Sequence, residues 1–230
     1  MTKVFIGVGH GGADSGAVGK NGSLEKALNL SIAKACGAEL ERHGVTVKLS
    51  RTKDENDPVN EEVAECNSFA PDLAVDIHNN AGGGTGAETY YTIGGGTGKQ
   101  LAENILTQLA SVGHKSRGAK TRTNANGADY YAFIRETKAP AVIVECAFVD
   151  SDDIALIDTE PERTAVGEAI AKGILKTLGI AYKAEKTPTE ARKLYRVQTG
   201  AYYDRKNAEA EAQRLKRAGF EAVIIIIITT

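Results

Sequence analysis

Leu73-Ala74-Val75-Asp76-Ile77-His78 is a short apolar run that ends in an imidazole, and its reading decides the fold. Two further segments repeat the pattern, Val4-Phe5-Ile6-Gly7-Val8-Gly9-His10 and Ala141-Val142-Ile143-Val144-Glu145. Runs this short and rich in Val, Ile and Leu mark strands buried on both faces of a parallel sheet. In open α/β sheets, chemistry collects at the carboxyl ends of such strands. Two imidazoles and a carboxylate delivered to one sheet edge point to a metal site with a general base.

Between these runs the first 180 residues alternate strand-like and helix-like segments, which predicts an α/β fold with a mostly parallel, twisted sheet flanked by helices. A Gly-rich loop follows His10, then a helix over residues 23–43 with a stripe of Leu24, Leu28, Ile32, Cys36 and Leu40, closed by Gly44. A strand is expected over 45–51, a helix over 61–69, a returning strand over 87–93 and a helix carrying Leu101, Ile105 and Leu109. Residues 115–130 are polar and read as an irregular loop. Residues 141–148 read as a strand and 163–178 as a last helix. The composition then shifts: 181–193 is charged, holds Pro188 and has no apolar period, so it reads as a linker. Residues 194–230 read as a small β-α-β unit, with strands over 194–203 and 221–230 around a basic helix over 204–218. The domains expected are therefore 1–180, a linker, and 194–230.

Charge is uneven along the chain. The overall −2 combines −6 in residues 1–180 with +4 in 181–230, so the tail suits an anionic or polymeric partner, or simply carries a solvated helix face. Cys36, Cys66 and Cys146 are odd in number and lack CxxC spacing, which argues against a disulfide framework and a thiolate metal site. Strand alternation points Cys146 away from the face that carries Glu145. The spacing around residues 94–99 fails as a phosphate loop, because Ile93 stands where the first glycine belongs. His43 reads as a helix C-cap and His114 as a solvated loop residue.

His10 and His78 need a third ligand, and Glu25, in the first turn of the helix after the His10 loop, is the best candidate. Two histidines and a carboxylate with one open position is the catalytic zinc arrangement. Glu145 then supplies the acid/base group. Taken singly, His10 also reads as a structural hydrogen-bonding residue, and Glu25 as a charge complementing a helix N-terminus.

Val8-Gly9-His10-Gly11-Gly12 with Gly16-Ala17, and Leu24-Glu25-Lys26-Ala27-Leu28-Asn29-Leu30, resemble the opening of the zinc-dependent N-acetylmuramoyl-L-alanine amidases of the type-3 class. The stretches from Asp72 to Ala81 and from Arg135 to Phe148 resemble the second metal motif and the catalytic-glutamate strand of that family. The resemblance spans residues 1–180. It implies one Zn²⁺ on His10, Glu25 and His78, Glu145 as catalytic acid/base, and hydrolysis of the amide joining the lactyl group of muramic acid to L-alanine. Two positions depart from the pattern, Glu62 where arginine is usual and Asn79 where alanine is usual. Neither is expected to touch a ligand.

The tail, from Tyr195 to Phe220, is similar to the first half of a SPOR peptidoglycan-binding repeat. A half-module suggests weak glycan binding or self-association through its last strand. The expected partner is bacterial peptidoglycan, glycan and stem peptide, with no nucleic acid and no membrane insertion. No export signal is visible, which suggests a phage endolysin or autolysin, made in the cytoplasm and reaching the wall through a pore-forming partner or lysis. A non-catalytic wall-binding protein and a zinc peptidase cutting within the stem are the alternatives.

Overall fold

The apolar runs are strands of one six-stranded sheet in a computed structural model that describes residues 1–184, 200–220, 222 and 224. Its strands are β1 (Lys3–Val8), β2 (Thr46–Leu49), β3 (Leu73–Asn80), β4 (Ala87–Tyr91), β5 (Ser116–Lys120) and β6 (Ala141–Phe148), in the order β2-β1-β3-β6-β4-β5. All neighbouring pairs are parallel except β4 with β6. The helices are α1 (Glu25–Arg42), α2 (Val59–Phe69), α3 (Gly96–Ser111), α4 (Ala132–Glu136), α5 (Glu160–Thr177) and α6 (Arg205–Arg217). The chain divides into two units, Met1–Ala184 and Glu185–Thr230.

Strand alternation sorts the core into two layers. Val142, Val144 and Cys146 face the larger cluster, which includes Leu28, Ile32, Ile105 and Ile170 from α1, α3 and α5. Ala141 and Ile143 face the smaller one, with Val63 and Cys66 of α2 and Phe133 and Ile134 of α4. Cys146 is fully buried in the larger layer, as alternation requires. The stripe of α1 begins at Leu28. Leu24 is instead the exposed N-cap residue, because the helix starts one residue after it. His43 caps the C-terminus, and Gly44 follows in the left-handed region at φ 78°.

Three further readings from sequence are corrected. Residues 115–130 are not wholly irregular: β5 forms there as an edge strand paired only with β4. Its sequence Ser-Arg-Gly-Ala-Lys carries no apolar alternation, since an edge strand exposed to solvent needs none. The short helix α4 was not anticipated, and five residues are too few to show a helical period. His114 is buried rather than solvated. Its Nδ1 donates to the Cys146 carbonyl at 2.9 Å, which ties the end of α3 to β6.

In the C-terminal unit the basic helix is α6, whose N-cap Asp204 accepts from the Lys206 amide at 2.7 Å. Residues 200–203, 222 and 224 have no regular secondary structure. The rest of the strands expected over 194–203 and 221–230 lies outside the described residues, as does most of the linker.

Packing of α5 on α1 depends on a missing side chain. A Cβ at Gly167 would lie 2.6 Å from the Ile32 carbonyl oxygen and 2.7 Å from Ala35 Cβ. Gly167→Ala gains up to about 1 kcal/mol of helix propensity but forces two backbones apart, at a cost of about 1–3 kcal/mol or more. A net loss in urea-unfolding stability is expected, and an unchanged midpoint would show that the helices shift freely. His114 provides a pH test. Burial holds its pKa below 6.5, so the unfolded chain takes up a proton that the folded one refuses. This contribution to stability is present above about pH 6.5 and is lost as pH falls toward the folded pKa. His114→Gln should flatten the fall in stability between about pH 7 and pH 5 relative to the parent; parallel curves would exclude this role.

Candidate metal centre

The turn after β1 is shaped by what must fit beside it. His10 is one of two non-glycine residues with positive φ among the described residues, at 63°. A Cβ on Gly9 would land in the His78 ring, and one on Gly16 would lie 2.7 Å from both Glu25 Oε2 and His10 Cδ2. Arg51, 2 % exposed, binds this turn to the start of α1 through backbone carbonyls alone. It donates to the carbonyls of Val8 at 3.0 Å, Gly9 at 3.2 Å, Lys26 at 2.7 Å and Lys53 at 3.2 Å.

Glu25 is the first residue of α1, where the helix dipole favours a carboxylate. The structure brings it together with both histidines. Glu25 Oε1 lies 3.2 Å from His10 Nε2 and 3.2 Å from His78 Nδ1, and the three candidate ligand atoms all lie within 4.8 Å of one another. Glu25 Oε2 accepts from the Ala17 amide at 2.9 Å. Oε1 accepts from the Asn79 amide at 3.1 Å and from Asn29 Nδ2 at 3.4 Å. The expectation that Asn79 touches no ligand is therefore corrected: its backbone N–H reaches Glu25, and its side chain bonds Asn29 at 2.8 Å. Glu62, the other departure, is buried and makes no hydrogen bond to the three ligands among the described residues. With Asp76 it fills the space beside the missing side chain of Gly7.

The outward nitrogen of each ring meets a further carboxylate. His10 Nδ1 lies 2.8 Å from Asp14, and His78 Nε2 lies 3.1 Å from Asp76. Each imidazole thus has a carboxylate at both nitrogens. The Glu25 hydrogen bond raises the His10 pKa; burial opposes protonation of His78, but Asp76 and Glu25 outweigh it and hold its pKa well above 6.5. Burial likewise opposes ionisation of Glu25, yet the two histidines hold its carboxyl well below the usual range.

This donor set fits a divalent cation. Two ligands about 2.0–2.1 Å from a tetrahedral centre stand about 3.3 Å apart, close to both imidazole–carboxylate separations. A cation held there would take the lone pairs of the inward nitrogens and leave each ring one outward N–H for Asp14 or Asp76, so both rings would be satisfied as neutral imidazoles. Glu145 opposes His78 in the β3–β6 register and so shares its face of the sheet. Its Oε2 is buried without a partner among the described residues, and burial pushes its carboxyl up to about 7.

Sequence reading missed Asp14, Asp76 and Arg51. Asp76 was accessible to it, because residues i and i+2 of a strand share a face and Asp76 precedes His78 by two. Arg51 gave no signal, since its partners are all backbone. Asp14→Asn and Asp76→Asn should each weaken metal binding by about 10–100-fold, measured by competition with a chromophoric chelator. Unchanged affinity in both would remove their orienting role.

Comparison with known proteins finds two family profiles along the chain, which overlap within α5. The N-acetylmuramoyl-L-alanine amidase family profile matches residues 4–176, and that of the SPOR domain matches residues 170–226. The chain is 36% identical over 229 residues to the N-acetylmuramoyl-L-alanine amidase CwlM of Bacillus licheniformis, covering 98% of this chain and 85% of that one. It is 34% identical over 230 residues to the sporulation-specific N-acetylmuramoyl-L-alanine amidase of Bacillus subtilis, with the same coverage. Its fold superposes on the catalytic domain of CwlV from Bacillus (Paenibacillus) polymyxa with a TM-score of 0.71 and 29% identity, covering 79% of this chain and 100% of that one. A sheet edge that gathers two histidines and a glutamate, in a chain matched this fully, belongs to the N-acetylmuramoyl-L-alanine amidase family.

Proposed function

We propose that this chain is a zinc-dependent peptidoglycan hydrolase that cuts the amide between the lactyl group of N-acetylmuramic acid and L-alanine of the stem peptide. The observation that carries this is the His10–Glu25–His78 donor set with Glu145 one strand away on the same face. Zinc held by the three ligands supplies a Lewis acid for the amide carbonyl and lowers the pKa of water to about 7.

The protein's own groups then move the protons. Glu145 takes a proton from the water that attacks the carbonyl carbon. It returns that proton to the alanine nitrogen as the C–N bond breaks, which leaves a lactyl carboxylate and a free L-alanine amino terminus. A buried carboxyl at about 7 is poised for both transfers, and a neighbouring cation draws it toward the ionised form the first transfer requires. Asp14 and Asp76 hold the two imidazoles in the tautomer that leaves their inward nitrogens free.

The basic C-terminal unit, matched by the SPOR domain, brings the enzyme to glycan. Action is at the cell wall, reached after lysis or with a pore-forming partner, in the manner of an endolysin or autolysin. The unit binds peptidoglycan rather than nucleic acid or the membrane interior. No helix among the described residues is long and apolar enough to cross a membrane. Self-association through the last strand would give a mass by light scattering that rises with concentration; a constant monomer mass excludes it.

Clearing of purified peptidoglycan should stop with chelator and return with zinc, releasing free L-alanine amino termini. New termini within the stem instead would overturn the assignment in favour of a peptidase. Glu145→Gln should keep about one zinc per chain, as expected of a non-ligand, while turnover falls by about 10²-fold or more. His78→Ala should lose both metal and activity. Retention of more than about a tenth of the rate by Glu145→Gln would require another base.

A further inference from the structure

Glu88 opposes Glu145 across the antiparallel β4–β6 pair, as His78 opposes it across β3–β6. The three side chains therefore form a row over one face of the sheet. Like charges on directly opposed residues repel, and the chain answers this at Glu88. That carboxylate is 4 % exposed, and Oε1 accepts from Asn80 Nδ2 at 3.0 Å and the Tyr90 hydroxyl at 2.9 Å. Oε2 accepts from Arg117 Nε at 2.6 Å and Lys120 Nζ at 2.5 Å. Burial opposes ionisation of Glu88, and Lys120 and Arg117 outweigh it, holding its carboxyl below the usual range.

One cation would neutralise Glu88, yet two from β5 converge on it, which leaves a surplus positive charge at Glu88, whose strand adjoins that of Glu145. The surplus faces outward. The Arg117 and Lys120 side chains are 35% and 34% exposed, against 5% for Glu88. Arg117 is held in place: Nη1 donates to the Thr85 carbonyl at 3.2 Å, and the guanidinium lies 4.9 Å from the Phe148 ring centre. Its Nη2 has no hydrogen-bond partner among the described residues, and Lys120 uses one of its three protons. Paired, unspent donors on a fixed base suit an incoming carboxylate.

The distance suits the substrate as well. Opposed residues of neighbouring antiparallel strands are about 5 Å apart, and an extended peptide advances about 3.4 Å per residue. Arg117 and Lys120 reach back from β5 to the Glu88 carboxylate, so a carboxylate a few residues beyond the scissile nitrogen comes within their range. The stem peptide continues from L-alanine with a γ-linked glutamate whose α-carboxyl is free in some walls and amidated in others. Its third residue, when diaminopimelate, carries a further carboxyl.

We propose that Arg117 and Lys120, seated on Glu88, form a subsite for a free carboxylate of the stem peptide and make this enzyme discriminate against amidated stems. This rests on the amidase reading above. The test measures kcat and KM on matched soluble muramoyl peptides: the glutamate α-carboxyl free or amidated, and the third residue lysine, diaminopimelate or amidated diaminopimelate. A hydrogen bond to a charged group predicts kcat/KM about tenfold or more higher for the free form. Preference for the free glutamate or for the free diaminopimelate supports the subsite and identifies which carboxylate it reads.

Lys120→Met leaves Glu88 paired with Arg117 and removes only the surplus charge. It should reduce the preference to about twofold or less, chiefly through KM on the free substrate, as loss of a single charged contact predicts. Lys120→Arg should restore it. Equal kcat/KM on all stems in the parent enzyme overturns the subsite, as does a Lys120→Met variant that keeps the full preference. Release of free L-alanine termini in those same reactions separates this failure from failure of the amidase reading, which would release none.

Discussion

Glu25 Oε1 is the point on which the centre is built. It is approached by His10 from the loop after β1, by His78 from β3, by the Asn79 amide and by Asn29 from the next turn of its own helix. A buried carboxylate is tolerated only when its neighbours satisfy it. Three segments far apart in sequence must therefore converge before the charge can be buried at all. Arg51 fixes two of them, joining the end of β1 to the first turn of α1 through hydrogen bonds to carbonyls. The positive φ of His10 and the absent side chains at Gly9 and Gly16 follow from the same crowding.

From that point electrostatics is arranged across the sheet in order. Asp14 and Asp76 balance the two imidazoles on their outer sides, Glu145 stands next in the strand register with no partner on Oε2 among the described residues, and Glu88 beyond it is bound by four donors. The two glutamates differ only in environment, and this separates their roles. Desolvation outweighs the pull of His78 and pushes Glu145 up to about 7, a range suited to proton transfer, while Glu88 remains an ionised base for two cations. The antiparallel turn of β4 makes this possible, since it places Glu88 opposite Glu145.

Much of this was legible before folding. The strands that carry or lead to His10, His78 and Glu145 were marked by short apolar runs, although β3 and β6 continue past His78 and Glu145 to Asn80 and Phe148, and the larger helices were marked by their periods, because burial imposes a pattern wherever a face is covered. β5 and α4 were not legible: an exposed edge strand and a five-residue helix impose no such pattern. His114 was misread for a related reason. Its polar sequence neighbours suggested solvent, whereas the groups that bury it come from β6, some thirty residues later.

By itself the sequence determined which residue types follow which apolar runs, and hence the candidate ligands and base. Local pattern suffices there, because side-chain alternation and helix period are properties of neighbouring residues. Only the tertiary structure decided what those groups meet: Asp14 and Asp76 behind the imidazoles, Arg51 among carbonyls, the Asn79 amide on Glu25, and two cations on Glu88. Such pairings depend on strand order and direction, above all on β6 lying between β3 and β4. Contacts between residues brought together by topology leave no periodic trace in the chain, yet they set the charge and geometry of the centre.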